Sequence, residues 1–407
     1  MKALYISYDG LLDQIGSSQI LPYVKDISRY TEKIYVVSFE KKEKYECYGD
    51  NMRESLASYS LVWVPLMFTS KFGILGKIFD LIKIHYITLK IGFKQNIKIA
   101  HARGHIAAES AALLKYFFGI SIIFDCRGLW VDERVNKGSW NLEKYFDRFQ
   151  YKIFKKIEKK IFTYADHIVV LTNRVVQKIV DDFKIFPQKI TVIPCCADFN
   201  HFKILPSKQI SSFKIKLGIQ DNTPVLGYLG SIGSMYKFES FIDLVMLSSY
   251  KYPHVCGLII TQDKEKAEEL LKKIKDLNFR KKFYVYSANR NEVPILINLF
   301  DVMINFLTSS DARIGTSPTR NAECYASGVP VVCSAGIGDV DRDIKIINGG
   351  ITINSFNEES LLEVVDNFDD IFKKGGTELR QASERVFSLS VAEKRYKNVY
   401  SSILKSI

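Results

Sequence analysis

The sequence predicts an α/β protein of two Rossmann-like, doubly wound domains facing each other across a cleft, and three observations predict it. Short β-rich runs alternate with helix-periodic stretches along the chain, a pattern that makes parallel sheets covered by helices. The series starts afresh after about residue 205. At 407 residues the chain exceeds one ordinary core and suits two domains of roughly 100–200 residues.

Taken in order, KALYISY, KIYVVSF, LVWVPL, IKIAHARG, ISIIFDCRG and HIVVLTN read as strands, with stretches such as SQILPYVKDISRY as the helices between them. The strand KITVIP ends at Pro194. Cys195, Cys196 and Asp198 then break the pattern and Pro206 follows, so the join is expected within 194–213. PVLGYLGSIG, HVCGLIITQ, FYVYSAN, VMINFLT, VPVVCSAG and GGITIN form the second series. The last stretch is an amphipathic helix, with Val391, Tyr396, Val399, Tyr400 and Ile403 at helical spacing. The expected division is 1–203, 204–385 and a helix at 386–407 that packs back toward the first domain.

The composition, 47% apolar and 25% charged, is that of an ordered soluble protein. Residues 1–7 lack the basic and long apolar regions of a secretory signal, and the apolar run at 116–124 is far shorter than the ~20 residues of a spanning helix. A cytoplasmic protein is expected. The seven cysteines show no zinc-ligand spacing, so reduced thiols and no metal or cofactor are expected; Cys195 and Cys196 read as small residues after a buried strand. The net charge of +12 lies mainly in the first half. It admits nucleic acid, an anionic membrane or a phosphorylated substrate as partner, and no nucleic-acid recognition motif accompanies it.

Ligands of open parallel sheets collect at the carboxyl ends of strands, so the loops there carry the chemistry. The first runs from Asp9-Gly10 to Gly16-Ser17-Ser18-Gln19, ahead of a helix expected near Ile20. It reads either as a phosphate cradle at a helix N-terminus or as a turn with a serine cap. The second, GYLGSIGSMYK, carries Gly227, Gly230, Gly233 and Lys237. It is neither GxGxxG nor a P-loop, so hydride transfer and P-loop NTPase chemistry are not indicated. Lys237 either neutralises a diphosphate leaving group or is solvated surface. The third, ARIGTSPTRNAECYASGVPVV, turns through Gly315, Ser317, Pro318, Thr319 and Arg320 into a helix bearing Glu323. Glu323 is either a helix-dipole or surface residue or a carboxylate that accepts the paired hydroxyls of a ribose.

With these loops in view, the chain resembles the family 4 glycosyltransferases of the GT-B fold over nearly its whole length. ECYASGVPVV is the most specific segment; KITVIPCCADFNHF, with Asp198 and Phe202, resembles the interdomain strand and loop, and EKKIFTYADHIVVLTN the helix and strand before it. The resemblance implies an acceptor-binding first domain and a nucleotide-sugar-binding second domain, with Glu323 on the ribose and Lys237 on the diphosphate. It implies a retaining, metal-independent sugar transfer without a covalent nucleophile. UDP is expected over GDP as the commoner donor nucleotide, its base near Tyr286.

The departures are specific. A glutamate that the family places eight positions before the ribose glutamate is Gly315 here, which leaves sugar contact to Ser317, Thr319 and Arg320. The arginine six positions before Lys237 is Ser231, which leaves Arg320 as a second cation, and Gly16 and Ser17 join the donor-binding set. Where many members carry a catalytic histidine the chain reads FDCRGLWVDER, so Asp125 and Arg127 are the expected polar groups at the reacting centre. Asp125 would take or orient the acceptor proton, or merely cap a loop; Arg127 would bind an acceptor phosphate.

Lys71, Lys77, Lys83, Lys90, Lys94 and Lys98 punctuate an apolar stretch that holds one aspartate. It can lie on an anionic membrane, pack on the sheet, or do both. Peripheral membrane binding and a lipid-linked glycan acceptor of a surface polysaccharide, such as capsule or lipopolysaccharide, are the expectation. The alternatives are a nucleotide-sugar 2-epimerase or hydrolase of the same architecture, and a non-catalytic nucleotide-sugar-binding subunit.

Overall fold

β-branched and aromatic runs that are buried on both faces make parallel strands, and among the described residues the strands of both sheets pair in parallel. The computed structural model describes residues 1–69 and 73–406; Lys71, part of the basic stretch above, lies outside them. The chain divides into two units, 1–194 with 389–407, and 195–388.

The first unit runs β1 (Lys2–Ser7), α1 (Gln14–Gln19), α2 (Leu21–Tyr30), β2 (Lys33–Glu40), α3 (Lys42–Leu56), β3 (Leu61–Met67), α4 (Gly73–Gln95), β4 (Ile97–Arg103), α5 (Gly104–Phe118), β5 (Ser121–Asp125), α6 (Trp130–Asn136), α7 (Tyr145–Tyr164), β6 (His167–Val170), α8 (Asn173–Phe183) and β7 (Ile190–Val192). Its sheet has the order β3-β2-β1-β4-β5-β6-β7. The direction of winding reverses between β1 and β4, where ligand crevices form. Ser7, Arg103 and Asp125 lie in register there, at the carboxyl ends of β1, β4 and β5. Helix ends follow local chemistry: α5 stops at Gly119, in the left-handed conformation at φ 65°.

The second unit runs α9 (Ser207–Lys216), β8 (Val225–Leu229), α10 (Phe238–Lys251), β9 (Cys256–Ile260), α11 (Lys264–Lys272), α12 (Leu277–Arg280), β10 (Phe283–Tyr286), α13 (Val293–Ile297), β11 (Val302–Asn305), α14 (Thr319–Ala326), β12 (Val331–Ser334), α15 (Val340–Ile347), β13 (Gly350–Ile353), α16 (Glu358–Asp366), α17 (Phe368–Lys373) and α18 (Thr377–Phe387). The order β10-β9-β8-β11-β12-β13 puts its reversal between β8 and β11.

Helix α19 (Leu389–Ser406) returns to the first unit, where it packs on α2 and buries Tyr396, Val399, Tyr400 and Ile403. The second unit begins at Cys195, not at 204. Phe199 and Phe202 sit in its core, the Ala197 amide donates to the Phe387 carbonyl at 2.9 Å, and the Arg380 guanidinium binds the carbonyls of Phe199 and Phe202. These contacts come from residues about 180 positions away, which local pattern cannot register.

One carboxylate makes stability depend on pH. Burial and the neighbouring Asp339 push Asp343 on α15 up to about 7, against Arg342. A raised native value leaves stability intact below the unfolded value of about 4 and removes it as pH rises toward 7. Asp343→Asn is expected to raise Tm at pH 8 by about 3 °C and to leave it unchanged at pH 4. An equal shift at both pH values in thermal melts would refute this origin.

Candidate functional site

In the second unit the loops after β8, β10 and β11 converge on the start of α14. Gly230, just past β8, has φ 124°, and a Cβ there would fall 2.5 Å from Nη2 of Arg320. The glycine is required by this φ, which residues with a Cβ rarely adopt, and its bare backbone leaves room for the guanidinium. Arg320 also donates from Nη2 to the Tyr236 hydroxyl at 2.9 Å and stacks on that ring at 4.5 Å. A cation from α14 therefore lies beside Ser231, the position at which a local arginine is missing. Ser231 is exposed, and its carbonyl accepts from the Tyr228 hydroxyl at 2.8 Å. Lys237 caps α10 with its backbone tied to the Phe306 carbonyl at 3.0 Å. Its side chain is exposed and has no ion pair among the described residues.

Glu323 is buried, at 8% exposure, in the second turn of α14, so the surface and first-turn dipole readings do not hold. Oε1 accepts from Nη1 of Arg290 at 3.3 Å. Burial pushes this carboxyl above its usual range, and Arg290 and Arg320 oppose the shift. Arg290 is braced by the Phe202 ring at 5.6 Å, which connects the loop after β7 to this site. Nothing in SANRNE marks Arg290 in sequence; only proximity to a buried glutamate singles it out.

Ser317 accepts from the Cys195 amide at 3.1 Å, and Thr319 is the first residue of α14, half-buried. Tyr286 ends β10 four residues before Arg290, half-buried against the core. Gly315 closes a buried 3-10 turn over Asp311–Gly315.

The first unit departs from expectation at its first loop. Gly16 and Ser17 lie inside α1, which begins at Gln14, and the hydroxyls of Ser17 and Ser18 bond back to the Gln14 carbonyl. No serine caps this helix. Its glycine is forced by packing, since a Cβ on Gly16 would fall 1.9 Å from the Gly10 carbonyl oxygen. The preceding turn already holds an anion: Glu40, fully buried at the end of β2, accepts from the amides of Leu11 and Leu12 at 2.7 and 3.2 Å. Nothing local in the sequence links Glu40 to a loop about thirty residues earlier.

At the switch point of the first sheet, Asp125 has 0% exposure. Oδ2 accepts from the Tyr396 hydroxyl at 3.1 Å, Oδ1 from Arg127 Nη1 at 3.4 Å, and Arg103 Nη1 and His101 Nε2 each lie 3.7 Å from Oδ2. Burial acts to raise its pKa, but Arg127, His101 and Arg103 outweigh burial and hold the carboxyl well below the usual range. Such a group is a poor proton acceptor. Burial keeps His101 below its ordinary value and so neutral near pH 7, with the Asp125 carboxylate opposing. Arg127 donates to Gln19 Oε1 at 2.9 Å, which orients its guanidinium. His101, Arg103 and Tyr396 escaped sequence reasoning because strand polarity alone does not tell a buried ion cluster from a loop end.

Residues 57–201 match the family model Glycosyltransferase Family 4. In sequence, no curated protein matches the chain. The structure is similar to that of Anabaena Alr3699/HepE in complex with UDP and glucose, at 14% identity and TM-score 0.72, covering 99% of this chain and 100% of that one. A glycosyltransferase from Rickettsia africae ESF-5 is similar at 17% identity and TM-score 0.73, covering 100% and 99%. WaaG, a glycosyltransferase involved in lipopolysaccharide biosynthesis, is similar at 14% and 0.64, covering 98% of each chain. The protein therefore has the GT-B fold, and its residues 57–201 are similar to glycosyltransferase family 4.

Proposed function

We propose that the protein is a retaining, metal-independent glycosyltransferase that moves a sugar from a UDP-sugar to a lipid-linked glycan acceptor in surface-polysaccharide synthesis, at the cytoplasmic face of an anionic membrane. The observation that carries this reading is the buried, arginine-braced carboxylate of Glu323 on the same helix as Arg320, whose guanidinium lies against Gly230 at the switch point of the second sheet. Glu323 accepts the ribose hydroxyls, while Lys237 and Arg320 neutralise the diphosphate as its bond to the sugar breaks. Ser317, Thr319 and the backbone near Ser231 line the sugar and phosphate, and Tyr286 lies by the base.

The acceptor oxygen bonds to the anomeric carbon on the face from which the diphosphate leaves. Its proton passes to the departing phosphate oxygen, so no protein base is needed. Asp125 then acts as a positioning residue that holds Arg127, which binds an anionic group of the acceptor.

Calorimetric titration with UDP and GDP, with and without EDTA, tests the donor side. UDP binding at least about tenfold tighter than GDP, unchanged by EDTA, is expected. Binding that requires metal would overturn the scheme. UDP binding without transfer to any lipid-linked acceptor would favour the non-catalytic reading, which Gly315 and Ser231 motivate.

A further inference from the structure

Helix α4 is inside out. Its buried side carries Gly76, Asp80, Ile84, Thr88 and Gly92, one residue per turn. Asp80 is satisfied there by the Thr69 amide, the Tyr8 hydroxyl and Lys83, and Thr88 by the Ile84 carbonyl. Its outer side exposes Leu75, Phe79, Ile82, Tyr86 and Phe93, the last at 76%. Leu75, Phe79, Ile82 and Tyr86 follow one another at three- and four-residue spacing as an apolar stripe, with Phe93 two turns further on, and a stripe of this length on water marks a contact surface. No helix among the described residues is long and apolar enough to cross a membrane.

Helices α4, α5 and α7 pack side by side in one layer. On α7 the outward residues are Tyr145, Phe146 and Phe149 among Arg148, Lys152 and Lys156. Its acidic residues are committed elsewhere: Asp147 accepts from the Asn141 amide, and Glu158 is buried against His105 and Lys155. Where α4 meets the end of α5, a cavity of about 350 Å³ is lined by Phe93, Phe118, Lys94 and Lys98, neither lysine ion-paired among the described residues. It lies at the amino ends of β4 and β5, opposite the ends that carry Arg103 and Asp125.

We infer that the outer faces of α4 and α7 dock the first unit onto an anionic bilayer, with the Lys94–Lys98 cavity seating a phospholipid head-group phosphate. The aromatic and aliphatic side chains enter the acyl boundary while the lysines meet the head groups. Charge selects this occupant over a second copy of the chain, since two copies joined through these faces would set lysine against lysine. The inference rests on the membrane partner proposed above and specifies the surface that meets it.

Co-sedimentation of the full chain with phosphatidylglycerol-containing vesicles and with pure phosphatidylcholine vesicles tests it, with UDP titration of every variant as a check on fold and donor site. Lys94→Gln with Lys98→Gln is expected to weaken binding to anionic vesicles about 30-fold. Phe79→Ser with Tyr86→Ser is expected to weaken it at least about tenfold. UDP affinity should not change in either variant. Equal recovery of the wild type with both vesicles, or wild-type binding by both variants, would overturn the inference. So would a solution dimer that Phe79→Ser with Tyr86→Ser dissociates. Failure of UDP binding with vesicle binding intact would instead remove the donor assignment and leave this surface standing.

Discussion

Glu323→Ala is expected to weaken UDP binding about 100-fold, because two hydrogen bonds from ribose hydroxyls to a carboxylate are lost, at about 1.5 kcal/mol or more each. The fold should survive, since Arg290 is partly exposed and its guanidinium can rehydrate. The ionised carboxylate is the form that accepts both hydroxyls. Burial raises the Glu323 pKa and Arg290 opposes the rise, so UDP affinity should fall on acidification at a higher pH than an ordinary glutamate would dictate. Arg290→Gln removes the opposing charge and should move that loss to higher pH still. Calorimetry across pH 5 to 8 reads both effects. UDP binding by Glu323→Ala within about threefold of wild type would end the ribose assignment.

Lys237→Ala should lower kcat about 100- to 1,000-fold, the scale seen when one preorganised donor to a developing negative charge is removed. The effect on KM for the donor should be small by comparison, because the charge that Lys237 meets grows as the bond to the sugar breaks. Arg320→Ala should lower kcat as well. Its readout includes a packing component, because Arg320 also lies on Gly230 and Tyr236. Single-turnover transfer with saturating UDP-sugar distinguishes the two roles. A Lys237→Ala enzyme that turns over within about threefold of wild type would remove the lysine from the leaving-group site.

Much of this architecture is written locally. The β-rich runs became the strands of both sheets, and the renewal of the series near residue 205 became a second sheet. The turn into α14 and the glycine-rich stretch after β8 stood out because glycine, proline and helix periodicity act over a few residues. Lys237 and Glu323 could be selected from those segments alone.

The partners of those residues could not. Glu323 binds Arg290 from a different loop, Arg320 fills the place beside Ser231 from ninety residues away, and Glu40 occupies the turn before α1. Asp125 was legible as a strand end, whereas its burial beneath Tyr396 follows from α19 crossing back to the first unit. The sequence by itself determined the strands, the helices and their order, because backbone propensity and side-chain periodicity are short-range. Tertiary structure alone decided which charges pair, because parallel crossovers bring residues tens to hundreds of positions apart to one sheet edge, where burial leaves a charge no partner but the one packed against it.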